Sequence, residues 1–94
     1  MVNVTYNLKI EKGFYSELNR FVEHHMEYIL DLNTYTGEIS NATLTSNNDD
    51  NTDVTINFDF DYDDYTLGYS CDYNSLIDLE ANPEILEIYS VYVD

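Results

Sequence analysis

The sequence predicts an α+β fold: a single domain over residues 1–94, with a mostly antiparallel sheet and a long helix and a short helix packed on one face. Three observations lead to this prediction. Apolar and polar residues alternate along residues 2–10 and again along residues 53–62, which is typical of half-buried strands. Between these two segments, apolar residues recur at helical spacing. The predicted order of elements is βαβββαβ.

The first predicted strand covers residues 2–10, and Glu11-Lys12-Gly13 forms the turn after it. A long helix is then predicted from about Phe14 to Asp31. Neither glycine nor proline interrupts this segment, and its apolar residues form one stripe along the helix. The stripe consists of Phe14, Leu18, Phe21, Val22, His25 and Ile29.

Three further strands are predicted to form an antiparallel meander. Residues 38–46 form a weak strand at or near an edge, and residues 47–52 form a polar loop. The next strand, at residues 53–62, leads into a tight turn at Asp63-Asp64 and a strand over residues 65–73. The apolar face of the middle strand consists of Val54, Ile56, Phe58, Phe60 and Tyr62, and its polar face of Thr55, Asn57, Asp59, Asp61 and Asp63.

The C-terminal quarter predicts a short helix and a last strand. The short helix begins at Ser75, because Asn74 or Ser75 can cap it and Asp78 lies in its first turn. Asn82-Pro83 ends this helix, since the residue before a proline is disfavoured in helical conformation. The apolar, β-branched and aromatic residues from Glu84 to Asp94 then predict a strand.

The net charge of −16 is the most unusual property of this chain. Its only basic residues are Lys9, Lys12 and Arg20, and no Lys or Arg follows Phe21. A surface of one sign destabilises a fold through self-repulsion, so it is typically kept for steering or for a basic partner. A charge that serves only solubility is the alternative reading.

Several functional classes are not expected from this sequence. It lacks a basic segment followed by an apolar run at its start, which predicts no signal peptide, and no apolar run approaches the roughly 20 residues of a membrane span. Cys71 is the only cysteine, which fits a reducing cytoplasm. His24 and His25 are adjacent and would point about 100° apart on a helix. With no recognisable nucleophile–base signature, we expect no enzyme, no metal and no cofactor.

Asp59, Asp61 and Asp63 share the polar face of their predicted strand, so their charges would lie about 6.6 to 6.8 Å apart. Successive phosphates on one strand of DNA rise by about 3.4 Å while winding around the axis, so their direct separation is of the same order. The same aspartates do not form an EF-hand loop, because its sixth position is Asp64 and its twelfth is Ser70. A second acidic row on the predicted helix consists of Glu17, Glu23, Glu27 and Asp31. A merely solvated strand face remains the alternative.

In size, charge and composition, the chain resembles the small acidic inhibitors made by phages and mobile elements, which include DNA-mimicking anti-CRISPR and anti-restriction proteins. The interspersed tyrosines and a set of acidic residues carry this resemblance. The resemblance implies occupation of the DNA-binding cleft of a nuclease. The residues expected to bind the partner are Asp49, Asp50, Asp53, Asp59, Asp61, Asp63, Asp64, Glu23, Glu27 and Tyr65.

Two other functions stay open at this point. An immunity protein or antitoxin that neutralises a basic nuclease toxin would use the same electrostatics. An acidic structural or assembly protein would carry its charge for solubility alone. In each of the inhibitory readings the partner is a basic nucleic-acid-binding protein, with no direct contact to nucleic acid or membrane. The chain itself is expected to be a monomer or a homodimer.

Overall fold

The computed structural model describes residues 1–31, 37–62 and 72–94. Within these residues the chain forms a sheet of antiparallel strands in the order β2-β3-β1-β4, so β1 and β3 are the central strands. The elements are β1 (Val2–Ile10), α1 (Tyr15–Glu23), β2 (Gly37–Ser46), β3 (Asp53–Tyr62) and β4 (Ile85–Val93).

The core lies between one face of the sheet and the helix. The apolar residues of β1 from Val4 to Ile10 and of β3 from Val54 to Phe60 are buried, whereas the polar residues between them keep some exposure. The rings of Tyr6 and Phe58 stack with their centroids 6.0 Å apart, and the Tyr6 hydroxyl donates to the carbonyl of Tyr73. Leu18 and Val22 of α1 are buried in the same core. The alternation predicted for the first and third strands is therefore confirmed.

Register couples this core to the opposite face of the sheet. The pairing of β1 with β3 sets Val4 opposite Phe58 and, one residue further, Asn3 opposite Asp59. A slip of one residue would turn every apolar side chain of a strand towards solvent, so burial of the apolar face specifies the register strongly. The same register thereby decides which polar side chains meet on the other face.

The predicted helix from Phe14 to Asp31 is wrong, because α1 ends at Glu23 after nine residues. The backbone N–H of Met26 donates to the carbonyl of Phe21 at 2.9 Å, and that of His25 donates to the carbonyl of Val22 at 3.1 Å. These two bonds form a Schellman motif, which ends a helix by satisfying its last carbonyl groups. His25 has a φ of 71° at the position where glycine is usual.

The residues after α1 still contribute to the core, but through turns. Met26, Ile29 and Leu30 are buried, whereas His25 is exposed. Of the two positions of the predicted stripe in this segment, Ile29 is buried and His25 is not, and the buried Met26 and Leu30 were not part of the stripe. The apolar spacing did not identify the backbone conformation, because the chain reverses at His25 and Met26, both of which have positive φ angles.

The predicted short helix at Ser75 is also wrong, because residues 73–84 form turns, bends and an isolated bridge. Leu30 and Ile77 form that bridge, and the N–H of Asp31 donates to the carbonyl of Leu76 at 2.8 Å. Leu76 and Ile77 are buried, and pairing with the segment after α1 satisfies backbone groups that a helix would have paired internally.

The βαβββαβ order with a long and a short helix is thus replaced, within the described residues, by four antiparallel strands and one short helix. The predicted hairpin of residues 38–46 and 53–62 corresponds to β2 and β3, and the predicted last strand corresponds to β4. Asp63-Asp64, Tyr65 and most of the predicted strand over residues 65–73, including Cys71, lie outside the described residues.

Candidate functional site

The face of the sheet opposite the core is polar, and we call it the open face. Its side chains alternate with the buried residues of the same strands, and none of them is itself buried. Hydrogen bonds and charge, rather than apolar packing, therefore determine what this face can bind. The open face consists of Asn3, Thr5, Asn7, Lys9, Glu38, Ser40, Thr43, Thr45, Asp53, Thr55, Asn57, Asp59, Asp61, Glu87, Tyr89, Ser90, Tyr92 and Asp94.

A chain of side-chain hydrogen bonds crosses the middle of the open face. Asn47, next to the end of β2, donates to the Thr55 hydroxyl at 2.7 Å, which donates to the Asn7 carbonyl oxygen at 2.7 Å. The Asn7 amide then donates to the Ser90 hydroxyl at 2.9 Å. Because these bonds run in one direction from the end of β2 across β3 and β1 to β4, each polarises the next and holds the surface in one arrangement.

A second set of bonds orders the neighbouring rows. Asn3 and Asn57 exchange two amide hydrogen bonds, of 3.1 and 2.8 Å, and the Asn57 amide also donates to the Thr5 hydroxyl at 2.8 Å. Asparagine has two donors and an acceptor on one short side chain, which makes this reciprocal pairing possible. These side chains are therefore held in place by the protein itself.

The same asparagine pair leads to Asp59, whose carboxylate is held from both sides. The Asn3 amide donates to Oδ1 at 3.0 Å, and the Asn41 amide donates to Oδ2 at 2.9 Å. These hydrogen bonds, with Asn3 the larger contributor and Asn41 the smaller, hold the pKa of Asp59 below its usual value. Asp59 therefore remains a carboxylate of fixed orientation.

Asn41 reaches Asp59 because β2 is irregular at this point. The pairing of β2 with β3 shifts register between Ser40 and Thr43, and Asn41 has a φ of 54° within this bulge. Asparagine tolerates the left-handed conformation better than most residues, and bulges often redirect a side chain. The bulge in β2 thus supplies one of the two donors to Asp59.

Around Asp59, the open face carries several further carboxylates, and we call this region its acidic end. Glu38 lies directly opposite Asp61 in the pairing of β2 with β3, and Asp94 pairs with Asn3 through two backbone hydrogen bonds. Like charges directly opposite each other destabilise a sheet. The amino group of Met1 lies 4.0 Å from Asp61, but both groups are well exposed, so this ion pair is weak. The acidic end consists of Glu38, Asp59, Asp61 and Asp94.

The other end of the open face has charges of both signs, and we call it the mixed end. Lys9 lies opposite Asp53 on β3 and opposite Glu87 on β4. The two oxygens of Asp53 accept from the Tyr89 hydroxyl at 2.9 Å and from the Asn48 amide at 3.1 Å. The hydrogen bond that the Tyr89 hydroxyl donates to Asp53 raises the pKa of Tyr89, and desolvation and the charges of Asp53 and Glu87 add to this effect. The mixed end consists of Lys9, Asp53, Glu87 and Tyr89.

The acidic residues that were expected to bind a partner separate into distinct regions. Asp59 and Asp61 lie at the acidic end, and Asp53 at the mixed end. Asp49 and Asp50 are exposed in the loop between β2 and β3, where Asp50 lies 3.8 Å from the Lys12 amine. Glu23 is exposed on α1, on the side of the sheet opposite the open face, whereas Glu27 lies in the turns after α1 and lines a depression together with Glu38 of the acidic end. Asp63, Asp64 and Tyr65 lie outside the described residues.

Sequence reasoning missed the residues that organise these charges. Asn3 alternates with buried residues of β1, so its place on the open face could have been found, but its pairing with Asp59 depends on a register between distant strands. Asn41 carries no local sequence signal for a bulge. Tyr89 and Tyr92 of β4 are exposed on this side of the sheet, and only the pairing of β4 with β1 brings them there.

Other regions offer less for a ligand. A shallow depression of about 210 Å³ beside Glu27 and Glu38 is smaller than the typical small-molecule site of roughly 300 to 1,000 Å³. A second depression, of about 390 Å³, is open to solvent and is lined by Ser16, Glu17 and Arg20, so it would enclose little of a ligand. Among residues 1–31, 37–62 and 72–94, no three His, Cys, Asp or Glu side chains are grouped so as to hold a metal ion. The open face is therefore the best candidate for a functional surface.

Over the same described ranges, no helix combines the length and the apolar character needed to cross a membrane. Comparisons of the chain with protein-family models, with curated proteins and with solved structures found no match. The geometry and charge of the open face are therefore the features from which a function can be inferred.

Proposed function

We propose that this protein inhibits a nucleic-acid-binding enzyme by mimicking DNA. In this proposal, the acidic end of the open face occupies the basic DNA-binding cleft of a nuclease effector, in the manner of an anti-CRISPR or anti-restriction protein. The protein binds its target in the host cytoplasm and catalyses no reaction itself. The observation that carries the proposal is the fixed carboxylate of Asp59 amid further carboxylates on an exposed sheet face, among which only a weak ion pair from Met1 to Asp61 is seen in the described residues.

The spacing of these charges supports mimicry of a phosphate backbone. Asp59 and Asp61 are two residues apart on one strand, which separates them by about 6.6 to 6.8 Å. Glu38 lies on the neighbouring strand opposite Asp61, at the strand separation of about 4.8 Å. The charges thus form a two-dimensional pattern at intervals similar to those between neighbouring phosphates, which lysine and arginine in a DNA-binding cleft can engage.

The distribution of basic residues argues against a purely solubilising charge. Lys9 and Lys12 lie towards the mixed end, whereas Asp59 lies six residues further along β3 from Asp53, or about 20 Å. That distance is roughly two Debye lengths at physiological ionic strength, so these lysines do little to screen the acidic end. A solubilising surface would gain by interspersing both signs, which the acidic end does not do.

The size of the open face indicates how the contact is made. Four strands of nine or ten residues cover about 30 Å by 19 Å, or roughly 570 Å². A standard interface buries about 800 Å² on each partner, so the contact has to extend beyond the sheet. The loop with Asp49 and Asp50 adjoins the open face and can provide part of the remaining area.

The proposal is tested by neutralising one acidic region at a time. The first variant combines Glu38→Gln, Asp59→Asn and Asp61→Asn at the acidic end. The matched helix-side control combines Glu17→Gln and Glu23→Gln on α1 with Glu80→Gln in the turns that pair with the segment after α1, and changes the net charge by the same amount. Each immobilised protein is used to capture partners from host lysate, and bound enzymes are then eluted with a DNA duplex and assayed for cleavage.

We expect wild type and the helix-side control to capture a nuclease that the duplex displaces, and to inhibit its cleavage. The acidic-end variant should lose most of this inhibition, because three of the mimicked phosphates are gone. Inhibition should also weaken as salt rises, since steering and ion pairing are both screened. Equal inhibition by wild type and the acidic-end variant would refute the proposal. Capture of a single toxin encoded beside this chain would indicate an immunity protein instead.

A further inference from the structure

Beside its carboxylates, the open face exposes aromatic rings from β4. Tyr92 is 63% exposed and lies opposite Thr5, one row from Asn3 and its partner Asp94. Tyr89 is 51% exposed, and its hydroxyl is occupied by Asp53. Exposed tyrosines on a polar, strongly acidic face offer π surfaces to a cationic group. They also provide contact area at a small loss of side-chain entropy.

The Asp59 carboxylate is oriented in a way that suits a planar donor. Each carboxylate oxygen has two acceptor positions, and Asn3 and Asn41 occupy one on each oxygen. The remaining positions are available to a ligand, and the carboxylate plane cannot rotate without breaking one of the two bonds. A guanidinium can donate two parallel hydrogen bonds to such a group, whereas an ammonium acts as a point charge.

We propose that the open face binds arginine side chains of its basic partner in preference to lysine, with Tyr92 stacking on a guanidinium and the oriented Asp59 carboxylate accepting a bidentate pair. This inference rests on the proposed function and specifies the chemistry of the target cleft. Tyr92 and Asp59 are separated by two strand spacings and one row, roughly 12 Å, so they contact different arginines of one surface.

Charge complementarity favours this occupant over a second copy of the chain. Each copy carries a net charge of −16, so two acidic ends placed together would repel each other. An arginine-rich surface compensates the carboxylates and also uses the tyrosines, because guanidinium stacks on aromatic faces more often than ammonium does. The asparagine network is already in place before binding, so little ordering accompanies complex formation.

The test compares two fluorescently labelled peptides of equal length and charge, nona-arginine and nona-lysine. Binding of each to the full chain is measured by fluorescence anisotropy at several salt concentrations. We expect the arginine peptide to bind wild type about fivefold more tightly than the lysine peptide, which is the order of one exposed cation–π contact. Polyarginine can bind any anionic surface somewhat more tightly than polylysine does. The test therefore depends on how the preference for arginine changes in the variants.

The chain offers a matched control for each contact. Tyr92→Ser removes the ring on the open face, and Tyr28→Ser removes a 70% exposed ring on the helix side. Asn41→Gly removes one donor to Asp59, and Asn51→Gly makes the same change in the loop after β2. Asn41 and Asn51 have φ angles of 54° and 56°, so glycine is equally suited to both positions. Circular dichroism checks that each variant is folded.

We expect Tyr92→Ser and Asn41→Gly each to lower the arginine preference to about twofold or less, and both controls to keep it. Equal affinities of the two peptides for wild type would overturn the arginine proposal. So would a preference that persists unchanged in Tyr92→Ser and Asn41→Gly, or the absence of any binding. The proposed function has its own readout, because nuclease inhibition that depends on the acidic end can persist without any preference for arginine.

Discussion

The two ends of the open face contain the same kinds of acidic residue in different surroundings. At the mixed end, Asp53 is contacted by a tyrosine hydroxyl and an amide and lies opposite Lys9. At the acidic end, the described side chains that donate to Asp59 are both neutral amides, and Asp61 lies opposite another acid. An amide orients a carboxylate without neutralising it. The comparison shows that this fold compensates charge at one end and keeps it available at the other.

The largest expected loss of stability comes from a substitution that pushes β2 and β3 apart beside the acidic end. A Cβ atom on Gly37 would lie 2.6 Å from the carbonyl oxygen of Asp61 and 2.6 Å from the ring of Phe60. Gly37→Ala should therefore lower the free energy of unfolding by about 1 to 3 kcal/mol. Urea denaturation measures this change, with Ser40→Ala on the same strand as a control expected within about 0.5 kcal/mol of wild type. An unchanged midpoint for Gly37→Ala would contradict the close approach of these strands.

Substitutions that reverse a charge at either end should change the free energy of unfolding by smaller amounts, and in opposite directions. Glu38→Lys replaces a like-charge pair with Asp61 by an opposite pair, and should stabilise the fold by about 0.2 to 1 kcal/mol. Lys9→Glu places a third acid between Asp53 and Glu87, and should destabilise it by a similar amount. Both differences should shrink in high salt, as urea denaturation at two salt concentrations can show. If both substitutions changed the free energy of unfolding in the same direction, the two ends would not differ electrostatically.

A finer distinction concerns the ionisation of Asp59. The lowered pKa of Asp59 means that its hydrogen bonds add stability above the pKa of the unfolded chain. This contribution is lost as the pH falls through the lowered value. Asn41→Gly should raise the pKa of Asp59 towards its usual value, and Asn51→Gly should leave it unchanged. An NMR titration of the Asp59 carboxyl carbon measures both, and an equal response to the two variants would exclude the bond from Asn41.

The corresponding measurement at the mixed end is the ionisation of Tyr89. Its raised pKa is caused first by the hydrogen bond to Asp53, so Asp53→Asn should lower the pKa towards the usual value. Because the neutral hydroxyl is favoured in the fold, this contribution to stability is present below the unfolded pKa and is lost as the pH rises through the folded value. Glu87→Gln should lower the pKa less, since Glu87 acts only through its charge. NMR titration of the Tyr89 ring distinguishes the two.

The strands were predictable because their burial leaves a local pattern. The alternation along β1 and β3 follows from one buried face, and it placed Asp59 and Asp61 on the polar side correctly. The end of α1 was not predictable in the same way, since the Schellman motif has His25 where glycine is usual. The segment around Leu76 has helical propensity but gains more by pairing with residues after α1. Tertiary contacts overrode local preference in both places.

The candidate site was predictable only in part for a related reason. Net charge and alternation can be read from the local sequence, so they identified Asp59 but not the residues that donate hydrogen bonds to it. The donors Asn3 and Asn41 come from two other strands, and one of them depends on a bulge. Glu23 was grouped with the aspartates by charge alone, although it lies on α1, on the other side of the sheet. Which acids act together is a property of strand register, which a single sequence does not specify.

The irregularities in the outer strands affect how copies of the chain can associate at high concentration. In the described part of the sheet, β2 and β4 are outermost, and both depart from regular register, β2 near Asn41 and β4 near Leu86 and Tyr89. A regular outer strand is a template on which another chain can extend the sheet, and bulges interrupt that template. The irregularity that directs Asn41 towards Asp59 therefore also discourages fibre-like stacking. The protein can present an uncovered sheet face at high concentration without joining its neighbours edge to edge.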